Sequence, residues 1–189
     1  MWIKICGITR YEDALLAYTL GADAIGFIFT ESPRMVSKKN IEPWIQEISG
    51  IEKVGVFTTE DPAYIEDIAS SLGLNTIQIH GKLSQAQFNL LERFKIIHAL
   101  KGCEEAYAPP LGCRILIDPS MGKGANANWA SLCNIKMPFI LAGGLNPDNV
   151  RKAIKTASPM GVDVSSGVEI APGIKDRKLI EKFIKEARK

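Results

Sequence analysis

Cys6 ends the apolar run Ile3 to Cys6 and is followed by a glycine and then Thr9. A strand that stops on a thiol presents it at the edge of a sheet. There it is either a small core hydrophobe, the commonest fate of a free cysteine, or a reactive group. Asp118 closes the run Arg114 to Asp118, and His80 closes Thr76 to His80, so a carboxyl and an imidazole hold the same kind of position. Arg34 follows the run that ends at Phe29, in the turn SPR, and Asp163 opens DVSSGVE. Two turns are built to approach an anion: LAGGLN, with Gly143 and Gly144, and DVSSG, with Ser166 and Gly167. Glycine lets the backbone come close to a ligand and aim successive N–H groups at it, and a helix start adds partial positive charge. Alone, Gly143 and Gly144 would equally be a chain reversal before Asn146; paired with Ser166 and Gly167 they favour phosphate. These parts make a site only if the fold gathers them.

The elements that would gather them are legible in the apolar period. Eight short runs recur: Ile3 to Cys6, Ala24 to Phe29, Lys53 to Phe57, Thr76 to His80, Phe94 to Ala99, Arg114 to Asp118, Pro138 to Ala142 and Gly161 to Val164. They are nearly continuous in Val, Ile and Leu rather than alternating, as strands covered on both faces are. Between them lie helix starts. Thr9 with Glu12 and Ser84 with Gln87 read as capping boxes, Asp61–Pro62 and Asn146–Pro147 read as caps before a first-turn proline, and Asp176 opens a last amphipathic stretch. Strand and helix alternate throughout, which predicts an α/β fold with a parallel sheet. Eight units fit a single (β/α)8 barrel over residues 1–189, although such barrels typically run to ~250 residues. The shortfall places shortened helices after strands 5 and 6, in KGCEEAYAPPLGC and PSMGKGANAN. A doubly wound open sheet is the alternative, and GKGANA loosely matches its glycine fingerprint. That segment begins four residues past Asp118 with no long helix after it, so the dinucleotide context is missing. In a closed barrel every strand's carboxyl end meets one face, and all of the residues above would converge there.

Composition narrows the partners. Lys and Arg (23) exceed Asp and Glu (21) by two, too weak a field to support nucleic-acid binding. The four cysteines have no CxxC spacing and two histidines cannot complete a metal site, so no metal is expected and a reducing cytoplasm is. Cys103, Cys113 and Cys133 receive no role. No apolar run approaches the ~20 residues of a membrane span, and MWIKICGITRYEDA does not read as a secretion signal.

KICGIT, GADAIGFIFTESPRMVS, VGVF, IQIHG, LAGGLNPDNV and GVDVSSGVEIAPGIKD, in that order, closely resemble the phosphoribosylanthranilate isomerases of tryptophan biosynthesis. The likeness spans nearly the whole chain, and KICG, SPR and DVSSGVE together are specific. It implies a small (β/α)8 barrel that works without cofactor or metal, as a monomer or homodimer, on a small phosphorylated substrate. The implied reaction is an Amadori rearrangement of N-(5-phosphoribosyl)anthranilate to 1-(2-carboxyphenylamino)-1-deoxyribulose 5-phosphate. The resemblance makes Asp118 the general acid at the ribose ring oxygen and Cys6 the base at ribose C2. Each such group contributes roughly 10²- to 10⁴-fold. This chemistry asks Asp118 to keep its proton near neutrality and Cys6 to lose its own, which needs an electropositive or hydrogen-bonding neighbourhood. Lys4 shares the Cys6 side of the strand and either supplies it or is satisfied by a carboxylate inside the barrel bottom. Arg34 would pair with the anthranilate carboxylate, and Gly143, Gly144, Ser166 and Gly167 would hold phosphate. His80 is either a second-shell donor or bonded to a neighbouring loop, and Asp163 is assigned an orienting role. One region departs from the family: MGKG and ANW stand where GGTG and FDW are usual, so Ala127 replaces the aromatic and Asn128 the acid. Related barrels acting on other phosphosugars, epimerases or indole-forming synthases, usually need a metal cluster or a catalytic lysine, and neither motif is evident.

Overall fold

Inward and outward side chains alternate along each of eight parallel strands, and the strands close into a ring in chain order: β1 (Trp2–Cys6), β2 (Ala24–Ile28), β3 (Glu52–Phe57), β4 (Thr76–His80), β5 (Lys95–Leu100), β6 (Arg114–Ile117), β7 (Phe139–Leu141) and β8 (Gly161–Val164). The computed structural model describes residues 1–81, 84–102, 112–119, 129–132 and 137–189. Outward residues such as Ile3, Ile5, Ile25, Phe27 and Ile77 are fully buried under the helices. Inward residues, among them Ala24, Val54, Ile97, Leu116 and Ile140, form a second apolar cluster inside the ring. Two buried faces are why these runs are apolar throughout. Closure sets Lys4 of β1 opposite Ala24 of β2 on one side and Asp163 of β8 on the other.

The lower mouth of the ring is plugged by polar groups. Glu52 pairs with the guanidinium of Arg114 and accepts from Thr76 Oγ1 and, at 3.2 Å, from Trp2 Nε1. The Arg114 guanidinium lies 5.0 Å from the Trp2 ring centroid, a cation–π contact.

Among the described residues six helices pack outside: α1 (Tyr11–Thr19), α2 (Lys38–Ile45), α3 (Pro62–Leu72), α4 (Gln85–Leu90), α5 (Val150–Ala157) and α6 (Arg177–Ala187). Asp61 caps α3 through the Ala63 N–H, with Pro62 at the first turn and left-handed Gly73 at the end. Ser84 and Gln87 form the capping box on α4, and Asp176 accepts from the Leu179 N–H on α6. Two caps differ from expectation. Thr9 does not cap α1; its hydroxyl donates to the Gly173 carbonyl at 2.6 Å, and Arg10 takes the cap position without a side-chain bond. Asn146 instead holds a turn through the Asp148 and Asn149 N–H groups, and α5 begins at Val150. Helix α2 had no clear sequence signal because Pro43 sits inside it, yet a Ser37–Asn40 capping box starts it and Ile41 and Ile45 anchor it. A short hairpin, β9 (Glu169–Ala171) with β10 (Ile174–Lys175), leads from β8 to α6 and was likewise not anticipated. After β6 the described residues hold a single 3-10 turn, Trp129–Leu132, in keeping with a reduced element. Most of the stretch after β5 and the atypical loop from Met121 to Asn128, GKGANA included, lie outside the described residues, as do Cys103 and Cys133.

Candidate active site

At the carboxyl ends of the strands an open cavity of about 150 Å³ draws its walls from Cys6, Arg34, His80, Asp118, Asp163 and Ser166, with Gly143 and Gly144 on one side. Every site residue read from the sequence except Gly167 lines it. Gly167 serves the site differently. A β-carbon there would lie 1.9 Å from the Leu145 carbonyl oxygen, so only glycine lets the turn after β8 pack on the turn after β7. Gly143 and Gly144 adopt φ of +89° and +65°, the left-handed conformation that glycine enters without strain. Asn149 secures this turn by donating from Nδ2 to the Gly144 carbonyl at 2.9 Å. The Ser165 hydroxyl is buried at the wall without a hydrogen-bond partner among the described residues.

Cys6 is buried on the inner face, one pleat above Lys4. The Lys4 ammonium is fully buried and donates to Asp163 Oδ2 at 2.8 Å. Burial pushes the Cys6 thiol up; the Lys4 charge and hydrogen bond oppose this, and Asp163 adds to it. Lys4 is itself raised: burial disfavours its charge, but Asp163 and Cys6 outweigh that. Lys4 is therefore paired with a carboxylate, one that lines the cavity rather than the barrel bottom, and its charge is the largest influence holding the thiol down. Gly26 on β2 makes room for the pair, because a β-carbon there would stand 2.8 Å from Cys6 Sγ and 2.9 Å from Lys4 Cε.

Asp118 follows β6 directly, buried, its N–H bonded to the Leu100 carbonyl at 2.9 Å. In the ring β6 stands three strands from β1, so thiol and carboxyl approach the cavity from different sides. His80 lines the cavity itself and shares a 2.8 Å hydrogen bond with the Gln78 side-chain nitrogen two residues earlier. Burial, and then the Lys4 charge, pull the imidazole below its ordinary pKa, favouring the neutral ring. The histidine bonded to a neighbouring loop is His98, at 2.6 Å from the Gly81 carbonyl. Gln78 is a wall residue that sequence reasoning missed, although it shares the inward parity of His80.

Arg34 does not sit alone. Its Nε and Nη2 grip Glu169 at 2.8–3.0 Å, and Lys175 Nζ donates to the same carboxylate at 2.6 Å. Lys175 also donates to the backbone carbonyls of Cys6, at 2.6 Å, and Ser165, at 3.2 Å. Burial would raise the Glu169 carboxyl, but the bonds from Arg34 and Lys175 hold it below its ordinary range. The glycine after the thiol belongs to this cluster: Gly7 has φ of +73°, and a β-carbon there would lie 2.6 Å from Arg34 Cδ and 2.9 Å from Ser165 Oγ. Glu169 and Lys175 were visible as letters, in DVSSGVE and GIKD, but nothing local says that they meet.

A family model described as N-(5'-phosphoribosyl)anthranilate isomerase matches residues 3–186. A protein of that name from Pelobacter propionicus is 41% identical over 98% of this chain and 95% of its own length. The crystal structure of the Thermotoga maritima phosphoribosyl anthranilate isomerase superposes with a TM-score of 0.90 at 38% identity, covering 100% of this chain and 98% of that one. A structure of such an isomerase in complex with reduced 1-(o-carboxyphenylamino)-1-deoxyribulose 5-phosphate superposes with a TM-score of 0.88, again at 38% identity and covering 100% and 98%. With a barrel of eight strands and the thiol, carboxyl, guanidinium and glycine turns around one cavity, the chain belongs to the N-(5'-phosphoribosyl)anthranilate isomerase family.

Proposed function

We propose that this chain converts N-(5-phosphoribosyl)anthranilate to 1-(2-carboxyphenylamino)-1-deoxyribulose 5-phosphate, a step of tryptophan biosynthesis, by acid–base catalysis. The turns after β7 and β8 take the phosphate, which fixes the sugar along the cavity. Asp118 donates a proton to the ribose ring oxygen, the C1–O bond breaks, and the aniline nitrogen's electrons form the Schiff base. Cys6, as thiolate, takes the proton from C2, giving an enolamine that tautomerises to the ketose. No atom is gained or lost. Two groups on different strands are required because the two protons sit on different atoms of one sugar. Lys4 stabilises the thiolate that the second step needs, and Asp163 holds Lys4 in place. Arg34 receives the aromatic carboxylate. Every one of these groups comes from one chain, so the site is complete in a monomer and equally in a homodimer. A thiol that must stay free fits the reducing cytoplasm.

The observation that carries this reading is that Cys6 and Asp118 line the same cavity as the two glycine turns. The decay of the fluorescent adduct, followed with purified protein, tests it. Cys6→Ala and Asp118→Asn are each expected to lower kcat by roughly 10²- to 10⁴-fold. Full turnover in both variants would remove the assignment.

A further inference from the structure

The grip on Arg34 has a direction. A guanidinium offers a carboxylate two usable edges, the side formed by Nε and Nη2 and the end formed by Nη1 and Nη2. Glu169 occupies the side edge with both oxygens. Among the described residues Nη1 donates to nothing. Arg34 lines the cavity, whereas Glu169 lies behind it and does not. The Glu169 side chain is 4% exposed and Lys175 is fully buried, so this backing is part of the rigid wall rather than a surface ion pair. The charges matter as well. Arg34 and Lys175 share one carboxylate, which leaves the cluster one positive charge in excess at the cavity rim.

We propose that Glu169, held by Lys175, is a positioning residue that presents the end edge of Arg34 to the aromatic carboxylate of the substrate. This rests on the activity proposed above and assigns its selectivity for a carboxyl-bearing aglycone. An arginine on a loop ordinarily loses side-chain freedom when it binds, and fixing it beforehand removes that cost from the binding step. Lys175 extends the arrangement: through the Cys6 and Ser165 carbonyls it ties the Arg34 support to the backbone of the proposed base and to the turn after β8. The aromatic end, the reacting carbon and the phosphate are thus placed by one connected framework.

The test uses the full chain and reads three quantities: turnover of the adduct, the dissociation constant of the reduced product, and that of ribose 5-phosphate, which has the phosphate but no aromatic carboxylate. Glu169→Gln and Glu169→Ala are expected to weaken the reduced product about tenfold to a hundredfold and to raise KM more than they lower kcat. Ribose 5-phosphate is expected to stay within about twofold. Glu169→Gln keeps an acceptor for the buried Lys175, so it reports even if the alanine variant does not fold. In an Arg34→Ala background the Glu169 changes are expected to add nothing, because no guanidinium remains to be aimed. The proposal is overturned if ribose 5-phosphate weakens as much as the reduced product, or if the Arg34 and Glu169 effects simply add. An inactive wild-type chain would instead remove the activity reading, a result distinct from turnover with unaltered selectivity.

Discussion

At the residue scale, the electrostatics of Cys6 are a contest between burial and one cation. Burial pushes the thiol up, Lys4 and more distantly Lys175 pull it down, and Asp163 pushes it up again. The hydrogen bonds to Glu169 raise the Arg34 guanidinium against its burial, the Glu169 charge adds to this, and Cys6 contributes least. Since the thiolate is the form that takes a proton, kcat/KM is expected to rise with pH through the Cys6 titration and to fall as the medium becomes more acidic. Lys4→Met removes the largest opposing charge, so the Cys6 titration moves to higher pH. Each unit of movement means about tenfold less thiolate at a fixed pH. Iodoacetamide alkylation of Cys6 against pH, located by mass spectrometry, measures this directly, and coincident curves for the two proteins would remove Lys4 from the mechanism. Cys113 should stay out of the measurement below pH 9, since burial pushes its thiol up to about 11. Cys6 and Asp118 could be named as candidates from sequence because each couples a reactive side chain to a strand end, and Arg34 because SPR belongs to the family resemblance. Glu169, Lys175 and Gln78 could not, because their importance lies in what they touch across the barrel.

At the element scale, a single missing side chain on β2 decides how the proposed base, Cys6, and Lys4 pack. The space over Gly26 is filled by Cys6 Sγ and Lys4 Cε, with the Cys6 Cα only 3.3 Å from a β-carbon built there. Gly26→Ala therefore overpacks the inner wall, at about 1–3 kcal/mol of stability, and displaces both functional groups. The expected result is a lowered but cooperative thermal transition together with at least about a tenfold loss of kcat. Retained kcat would mean that the thiol's position is not fixed by this contact. The strands were readable because burial on both faces leaves an uninterrupted apolar run, and α3 because Asp61, Pro62 and Gly73 mark its ends. The start of α1 was misread for a physical reason. The Thr9 hydroxyl has a tertiary partner in Gly173, and a bond made across 164 positions leaves no trace in the local pattern. Helix α2 was hidden by Pro43, which buried Ile41 and Ile45 outweigh.

At the scale of the whole molecule, the two ends of the barrel do different work. The upper end holds the cavity, and the lower end holds Glu52, Arg114, Thr76 and Trp2. Burial would raise the Glu52 carboxyl, but the bonds from Arg114 and Thr76 keep it below its ordinary value. A depressed carboxyl contributes stability that is present above its unfolded pKa and is lost as pH falls through the folded one. The difference in melting temperature between wild type and Glu52→Gln is therefore expected to be full at pH 7 and to shrink below about pH 4. Adduct turnover at pH 7 should change little, because the plug lies a strand's length from the chemistry. Melting differences that stay constant across the acid range would show that the Glu52 charge is not what seals this end.

Lys175 gives the fold an order in time. The framework it completes joins the Cys6 backbone to a side chain synthesised 169 positions later. A growing polypeptide still tethered to the ribosome can lay down β1 and its thiol early, but Arg34 lacks its carboxylate backing until the hairpin β9–β10 has cleared the exit tunnel. Prematurely terminated products that stop short of it would carry the proposed base without the support that aims Arg34.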